Sequence, residues 1–160
     1  MLNGIIRQFL YQVCWGQLDV LVVDLPPGTG DAQLSLAQAV PMAGVVIVTT
    51  PQTVSIQDAS RGLAMFRQMG VPVLGVVENM TAFVPPDQPD RSYSIFGKGG
   101  GEKLALQNGV PLLAQIPLEM PLQEDGNQGL PIVKSRPNSI SAEIFRQLAN
   151  SVLGKVSKNN

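Results

Sequence analysis

Apolar and polar positions follow two periods along the chain, and the switches between them mark the elements. In residues 2–13, Leu2, Ile5, Ile6, Phe9, Leu10 and Val13 recur at helical spacing. Val20, Leu21, Val22 and Val23 form an unbroken branched run, which predicts a strand over 20–25 covered on both faces. A helix is expected over 31–40 with Asp31 as its N-cap. A second strand is expected over 44–50, where Val45, Val46, Ile47 and Val48 again read as buried on both faces. Ser55, Ile56, Gln57 and Asp58 resemble a capping box, with Asp in place of Glu, for a helix reaching Met69 and closed by Gly70. Residues 73–77 predict a third strand, 101–108 a short helix ended by Gly109, and 112–116 a fourth strand. A last helix opens at Asn138 or Ser139 and carries Ile140, Ile144, Phe145, Leu148 and Val152 on one side. Strands separated by helices imply right-handed crossovers and a parallel sheet with helices on both faces, an α/β fold.

Composition narrows what such a fold serves. At 160 residues one domain is expected, over 1–154, with a disordered tail at 155–160, and 44% hydrophobic content supplies a sizeable core. A net charge of −1 without a basic run offers no electrostatic footprint for nucleic acid. The apolar stretch 71–77 contains Pro72 and Gly75 and falls short of the roughly 20 residues of a membrane helix. Residues 1–13 lack the basic flank and continuous core of a signal peptide. One cysteine excludes a disulfide framework and suits a reducing compartment, so a cytoplasmic location without membrane partner is expected. Cys14, taken as part of the first helix, reads as a small buried hydrophobe, and with no histidine there is no soft ligand cluster within one subunit.

The densest chemistry follows the first predicted strand, in Asp24-Leu25-Pro26-Pro27-Gly28-Thr29-Gly30-Asp31. A carboxylate at the carboxyl end of a parallel strand points into the crevice where open α/β sheets take ligands. There Asp24 suits a water of a magnesium ion, which keeps several waters and takes only one or two carboxylates. Pro26 and Pro27 stiffen the approach, and Gly28 leaves its amide open to a phosphate oxygen. The bland alternative is a tight strand-to-helix turn with a capping aspartate.

Together with Trp15, Leu18 and Asp19, that string resembles the signature of the Mrp/ApbC family. These are P-loop ATPases related to MinD and ParA that carry iron–sulfur clusters. Val77-Glu78-Asn79-Met80, the run from Ile95 through Phe96, Gly97, Lys98, Gly99, Gly100 and Gly101 to Glu102, and Ile116-Pro117-Leu118 match the family in the same order. The resemblance implies ATP and Mg²⁺ as cofactors, a homodimer that completes the site, and iron–sulfur apo-proteins as clients. It implies Asp24 and Gly28 as catalytic residues, with Asp24 holding Mg²⁺ through water and Gly28 reporting the γ-phosphate. Pro27 and Thr29 join them around the phosphates. Asn79, Ile116, Pro117, Leu118 and Glu119 correspond to the family's base-binding positions. Taken without the resemblance, Asn79 reads equally as an Asx turn ending its strand.

Two departures accompany the match. The family's Lys-Gly-Gly-x-Gly-Lys-[Ser/Thr] loop is not found before Leu18, so the chain is expected to begin downstream of its P-loop, missing the N-terminal strand as well. Its absence predicts no ATP hydrolysis by this chain alone, and exposed sheet edges that promote association. The lookalike Lys98-Gly99-Gly100-Gly101-Glu102-Lys103 puts Leu104 where a magnesium-binding hydroxyl belongs, and it reads as a flexible turn into a helix. Many family members carry Cys-x-x-Cys after the Glu-Asn-Met segment, each subunit giving one pair to a shared cluster. Residues 81–90 hold no cysteine, so ligands for a cluster are not identifiable. Beside the carrier function stand two alternatives, a MinD/ParA-like positioning ATPase and a catalytically silent dimerisation module.

Overall fold

The computed structural model describes residues 2–25, 30–88 and 90–157. Its elements run α1 (Leu2–Tyr11), α2 (Asp31–Ala39), β1 (Val45–Thr49), α3 (Thr53–Gln68), β2 (Val73–Phe83), α4 (Gly100–Gln107), β3 (Leu112–Leu118), α5 (Met120–Asn127), α6 (Ile132–Ser135) and α7 (Ile140–Val156). The three strands form one sheet in the order β1-β2-β3, and both pairings are parallel. Helix α3 packs on β1 and β2, α4 on β2 and β3, and α7 on β3.

The core is where the strands meet α3 and α4. Val45, Ile47 and Val76 pack with Leu63 and Phe66 of α3 and Leu104 and Ala105 of α4. Burial alternates along β1, as the two-residue period requires: Val45, Ile47 and Thr49 are buried while Val48 is 60% exposed. The expectation that β1 is covered on both faces is therefore corrected. Its apolar composition cannot tell a two-faced strand from a one-faced one; only the neighbouring layers decide.

Helix ends obey local chemistry closely. Gly70, Gly109 and Gly129 all take positive φ just past α3, α4 and α5. Behind each, the following amide reaches back across the turn: Val71 to Phe66, Val110 to Ala105, Leu130 to Asp125. That is the left-handed closure for which glycine lacks a steric penalty. Ser139 caps α7 by accepting from the Ala142 amide at 3.1 Å.

Four expectations at element ends need correction. The predicted strand over 20–25 is irregular chain, with Val22 86% exposed and no ladder partner among the described residues. A strand is a pairing, and branched side chains do not supply the neighbour whose backbone would complete it. The α2 N-cap is Gly30, and Asp31 is the first helical residue. Helix α3 starts at Thr53 behind Gln52, so Ser55 is already inside the first turn, where its hydroxyl accepts from Thr50 Oγ1 at 2.8 Å, and Asp58 pairs with Arg61. Helix α7 runs to Val156, so Lys155 and Val156 belong to it and not to the tail expected from 155.

Helices α5 and α6, not anticipated from the sequence, are locked by Asp125. Its carboxylate accepts from Ser135 Oγ at 2.7 Å and from Arg136 Nε at 3.0 Å. The Ser135 hydroxyl, then the Arg136 guanidinium, hold the Asp125 carboxyl below the usual carboxylate range. Because the folded pKa lies below the unfolded one, this stabilisation is present above about pH 4 and is lost as pH falls through the folded value. Wild type and Ser135→Ala are expected to differ in urea midpoint near about pH 6 and to converge toward about pH 2. A difference that persists in acid would show that the serine acts by packing alone.

Candidate functional site

The carboxyl ends of the parallel strands, where such sheets take ligands, gather three segments. Strand β1 runs out into Thr50 and Pro51, β2 carries Glu78, Asn79 and Met80 from the level where β1 ends, and β3 closes with Ile116, Pro117 and Leu118. Asn79 and Ile116 face each other in register across β2 and β3. Two of the residues expected around the base are therefore direct neighbours, with Pro117 and Leu118 following on the same strand.

Each is held differently. The Asn79 side chain turns back on its own backbone, Oδ1 accepting from the Met80 amide at 2.9 Å. Met80 has φ 57°, a left-handed conformation that a non-glycine residue adopts at a cost of about 1–2 kcal/mol. The bond goes to the next residue and the strand runs on to Phe83, so this is not the Asx turn at a strand end that the sequence allows; Oδ1 is engaged locally while Nδ2 remains a donor. Ile116 is 4% exposed, so its side chain belongs to the packed interior and only its backbone faces the strand ends. Glu119 is the N-cap residue of α5, and its carboxylate accepts from Ser141 Oγ of α7 at 2.7 Å.

Asp24 is exposed and lies on a largely apolar groove of about 380 Å³ between α1, α2 and residues 21–25. Ile5, Phe9, Trp15, Val23 and Leu36 line its walls. That groove does not include Asn79 or Ile116, the positions expected around the base. Pro26, Pro27, Gly28 and Thr29 lie outside the described residues. Cys14 falls beyond the end of α1 and is exposed, which corrects its placement as a buried helical residue. No group of three or more His, Cys, Asp or Glu suited to a metal ion occurs among the described residues. Among them, too, no helix is long and apolar enough to cross a membrane.

The glycine run at 99–101 is tightly packed. Gly99 sits at φ 71° as the N-cap of α4. A Cβ on Gly100 would lie 2.6 Å from the Pro51 carbonyl oxygen, and one on Gly101 would lie 2.7 Å from Glu78 Cβ. The run lets the start of α4 press against the ends of both β1 and β2. The Gly101 amide, the donor a phosphate would need, already donates to Glu78 Oε1 at 3.0 Å. A buried carboxylate occupies the helix N-terminus, so this lookalike is closed to a second anion. The expected flexible turn is replaced by a helix start docked on two strands.

Sequence reasoning also missed how far β2 reaches. The strand continues to Phe83, which pairs antiparallel with Tyr93 through two backbone hydrogen bonds of 2.8 and 2.9 Å. The Glu-Asn-Met segment thus lies inside one long strand.

Comparison with known proteins adds identity to this geometry. The family model described as ParA, NUBPL iron-transfer P-loop NTPase, matches residues 1–153. An iron-sulfur cluster carrier protein of Synechocystis sp. is 66% identical over 157 residues, covering 98% of this chain and 44% of that protein. Among solved structures, the nucleotide-binding protein of Archaeoglobus fulgidus in complex with ADP superposes with a TM-score of 0.71 at 38% identity, covering 80% of this chain and 52% of that one. The cell division ATPase MinD of Pyrococcus furiosus gives 0.67 at 25% identity, covering 96% and 57%. The chain spans about half the length of the proteins it matches.

Proposed function

Since this chain belongs to the ParA family of NUBPL iron-transfer P-loop NTPases, we propose that it serves iron–sulfur cluster carriage coupled to ATP, as a cytoplasmic homodimer. The observation that carries the proposal is 66% identity to an iron-sulfur cluster carrier, sustained over 157 of the chain's 160 residues. The cluster is cargo, received and handed to an apo-protein client.

In that function ATP with Mg²⁺ supplies the free energy of phosphoryl transfer, and this chain's residues bind and orient it. Asp24, exposed beside its groove, would hold a water of a magnesium ion that accompanies the nucleotide. Gly28, with Pro27 and Thr29, offers backbone to the phosphates and senses the γ-phosphate. Asn79 presents Nδ2 to a purine edge, because its Oδ1 is taken by Met80. Ile116, Pro117 and Leu118 flank the base, Ile116 through its backbone. Glu119 orients the end of β3 through its bond to Ser141.

The 160-residue chain holds no Lys-Gly-Gly-x-Gly-Lys-[Ser/Thr] sequence, and we expect no ATP turnover from it alone. Turnover that Asp24→Ala abolishes would overturn that expectation. The carrier function is tested by anaerobic reconstitution with iron and sulfide, followed by transfer to an apo-protein acceptor. Bound iron and sulfide that move to the acceptor are expected. Reconstituted protein that takes up neither would sink the proposal.

A further inference from the structure

Glu78 is the one fully buried carboxylate among the described residues, and the function above gives it no task. Its two oxygens are divided between two elements. Oε1 accepts from the Gly101 amide at the start of α4, and Oε2 accepts from Gln115 Nε2 of β3 at 2.8 Å. No Lys or Arg pairs with it among the described residues. A buried carboxylate held only by an amide and a helix N-terminus is costly unless both donors stay in place, so the three elements are tied to one geometry.

Directly after Glu78 comes the strained pair. Asn79 folds its side chain onto the Met80 amide, and Met80 sits at φ 57°. A left-handed non-glycine residue persists where its surroundings over-determine it. On one side the strand continues to the Phe83–Tyr93 bridge; on the other, Asn79 pairs with Ile116 and is preceded by Glu78, whose carboxylate is bonded to α4 and β3. Gly101 is part of the same device, since its Cβ-less backbone is what admits α4 to within bonding distance.

We propose that Glu78 is a positioning residue, which anchors α4 and β3 to β2 and thereby fixes the Asn79–Met80 turn in the conformation that presents the Asn79 amide to a purine. The presentation half rests on the nucleotide role proposed above; the anchoring half does not.

Hydrogen exchange of the Gly101 and Met80 amides, read by NMR on the full chain, separates the two. In Glu78→Leu both amides are expected to exchange about tenfold faster or more while amides of α7 are unchanged. In Glu78→Gln, where a flipped Gln115 amide restores both bonds, exchange is expected within about threefold of wild type. Acceleration at Gly101 without acceleration at Met80 would overturn the proposal. If Glu78→Leu does not fold, Gln115→Leu removes the β3 anchor alone and leaves the Gly101 bond in place; faster exchange at Met80 is then expected, and an unchanged Met80 amide would overturn the proposal. Equilibrium binding of Mg-ATP against Mg-GTP then reads presentation: loss of discrimination by about tenfold in the leucine variant and its rescue in the glutamine variant are expected. Should wild type bind neither nucleotide, the nucleotide role falls, and the exchange data still decide the anchor.

Discussion

Gly75→Ala is expected to lower the stability of this chain by about 3 kcal/mol or more, the sum of backbone strain and overpacking. Gly75 lies in β2 at φ 155°, a region L side chains rarely adopt. An added Cβ would stand 2.6 Å from both Leu113 Cγ and the Pro111 carbonyl oxygen. The leucine can move. The carbonyl cannot move freely, since it accepts the Val76 amide at 2.9 Å and so begins the β2–β3 ladder. On the other side of the strand, Val45 pairs with Val73 and Val46 with Gly75, so Leu74 is skipped and the pairing shifts beside this glycine. A glycine at a register irregularity is where a strand tolerates no side chain. Urea unfolding followed by circular dichroism checks this, and a loss under about 0.5 kcal/mol would show that the close approach relaxes freely.

The sequence made such elements legible where local chemistry settles the outcome. Helical spacing and the closing glycines Gly70 and Gly109 located α3 and α4, and the apolar runs located β1, β2 and β3, each within a few residues at its start. What the pattern could not carry was partnership. Val20 to Val23 reads as a buried strand on composition, yet pairing is a property of two segments, and here Leu21, Val22 and Val23 line a groove that Asp24 also borders. Val48 looks like Ile47 in the sequence and differs only in having no layer above it.

The candidate site divides along the same line. Asn79 and Ile116 were predicted from motifs and lie in register because β2 and β3 are consecutive, parallel and locally determined. Asp24 depends on the 18–25 segment, which packs with α1 and α2 and joins no ladder among the described residues, and the groove it lines does not include them. Glu78 stands within the Glu-Asn-Met motif, yet a glutamate in a strand does not announce whether it is buried. Its burial becomes intelligible only with Gly101 and Gln115, 23 and 37 residues away in the chain. Gly99, Gly100 and Gly101 carried a visible signal that was assigned the wrong physics, flexibility in place of close approach.

Those two assignments predict opposite signs for one experiment. If the run were a loose turn, replacing Gly101 by alanine would stabilise the chain by about 0.4–1 kcal/mol, because alanine restricts the unfolded state. In a docked helix start the same change is destabilising. The new Cβ would meet Glu78 Cβ at 2.7 Å, Cγ at 3.0 Å and Cδ at 3.3 Å, in a site where the glutamate is fully buried and bonded on both oxygens. Relief requires α4 to lift from β2, which stretches the Gly101–Glu78 hydrogen bond and uncovers Leu104 and Ala105, both buried in the same core. Gly101→Ala is therefore expected to cost about 2–3 kcal/mol, combining overpacking with a weakened bond to a buried carboxyl group. Gly109→Ala makes a useful contrast: its Cβ would meet nothing within 4 Å, and its cost, about 1–2 kcal/mol, comes from φ 60° alone. Urea midpoints of the two variants, with nucleotide present and absent, decide the matter. A stabilised Gly101→Ala would mean that α4 does not dock on Glu78, and the anchoring of the Asn79–Met80 turn would fail with it.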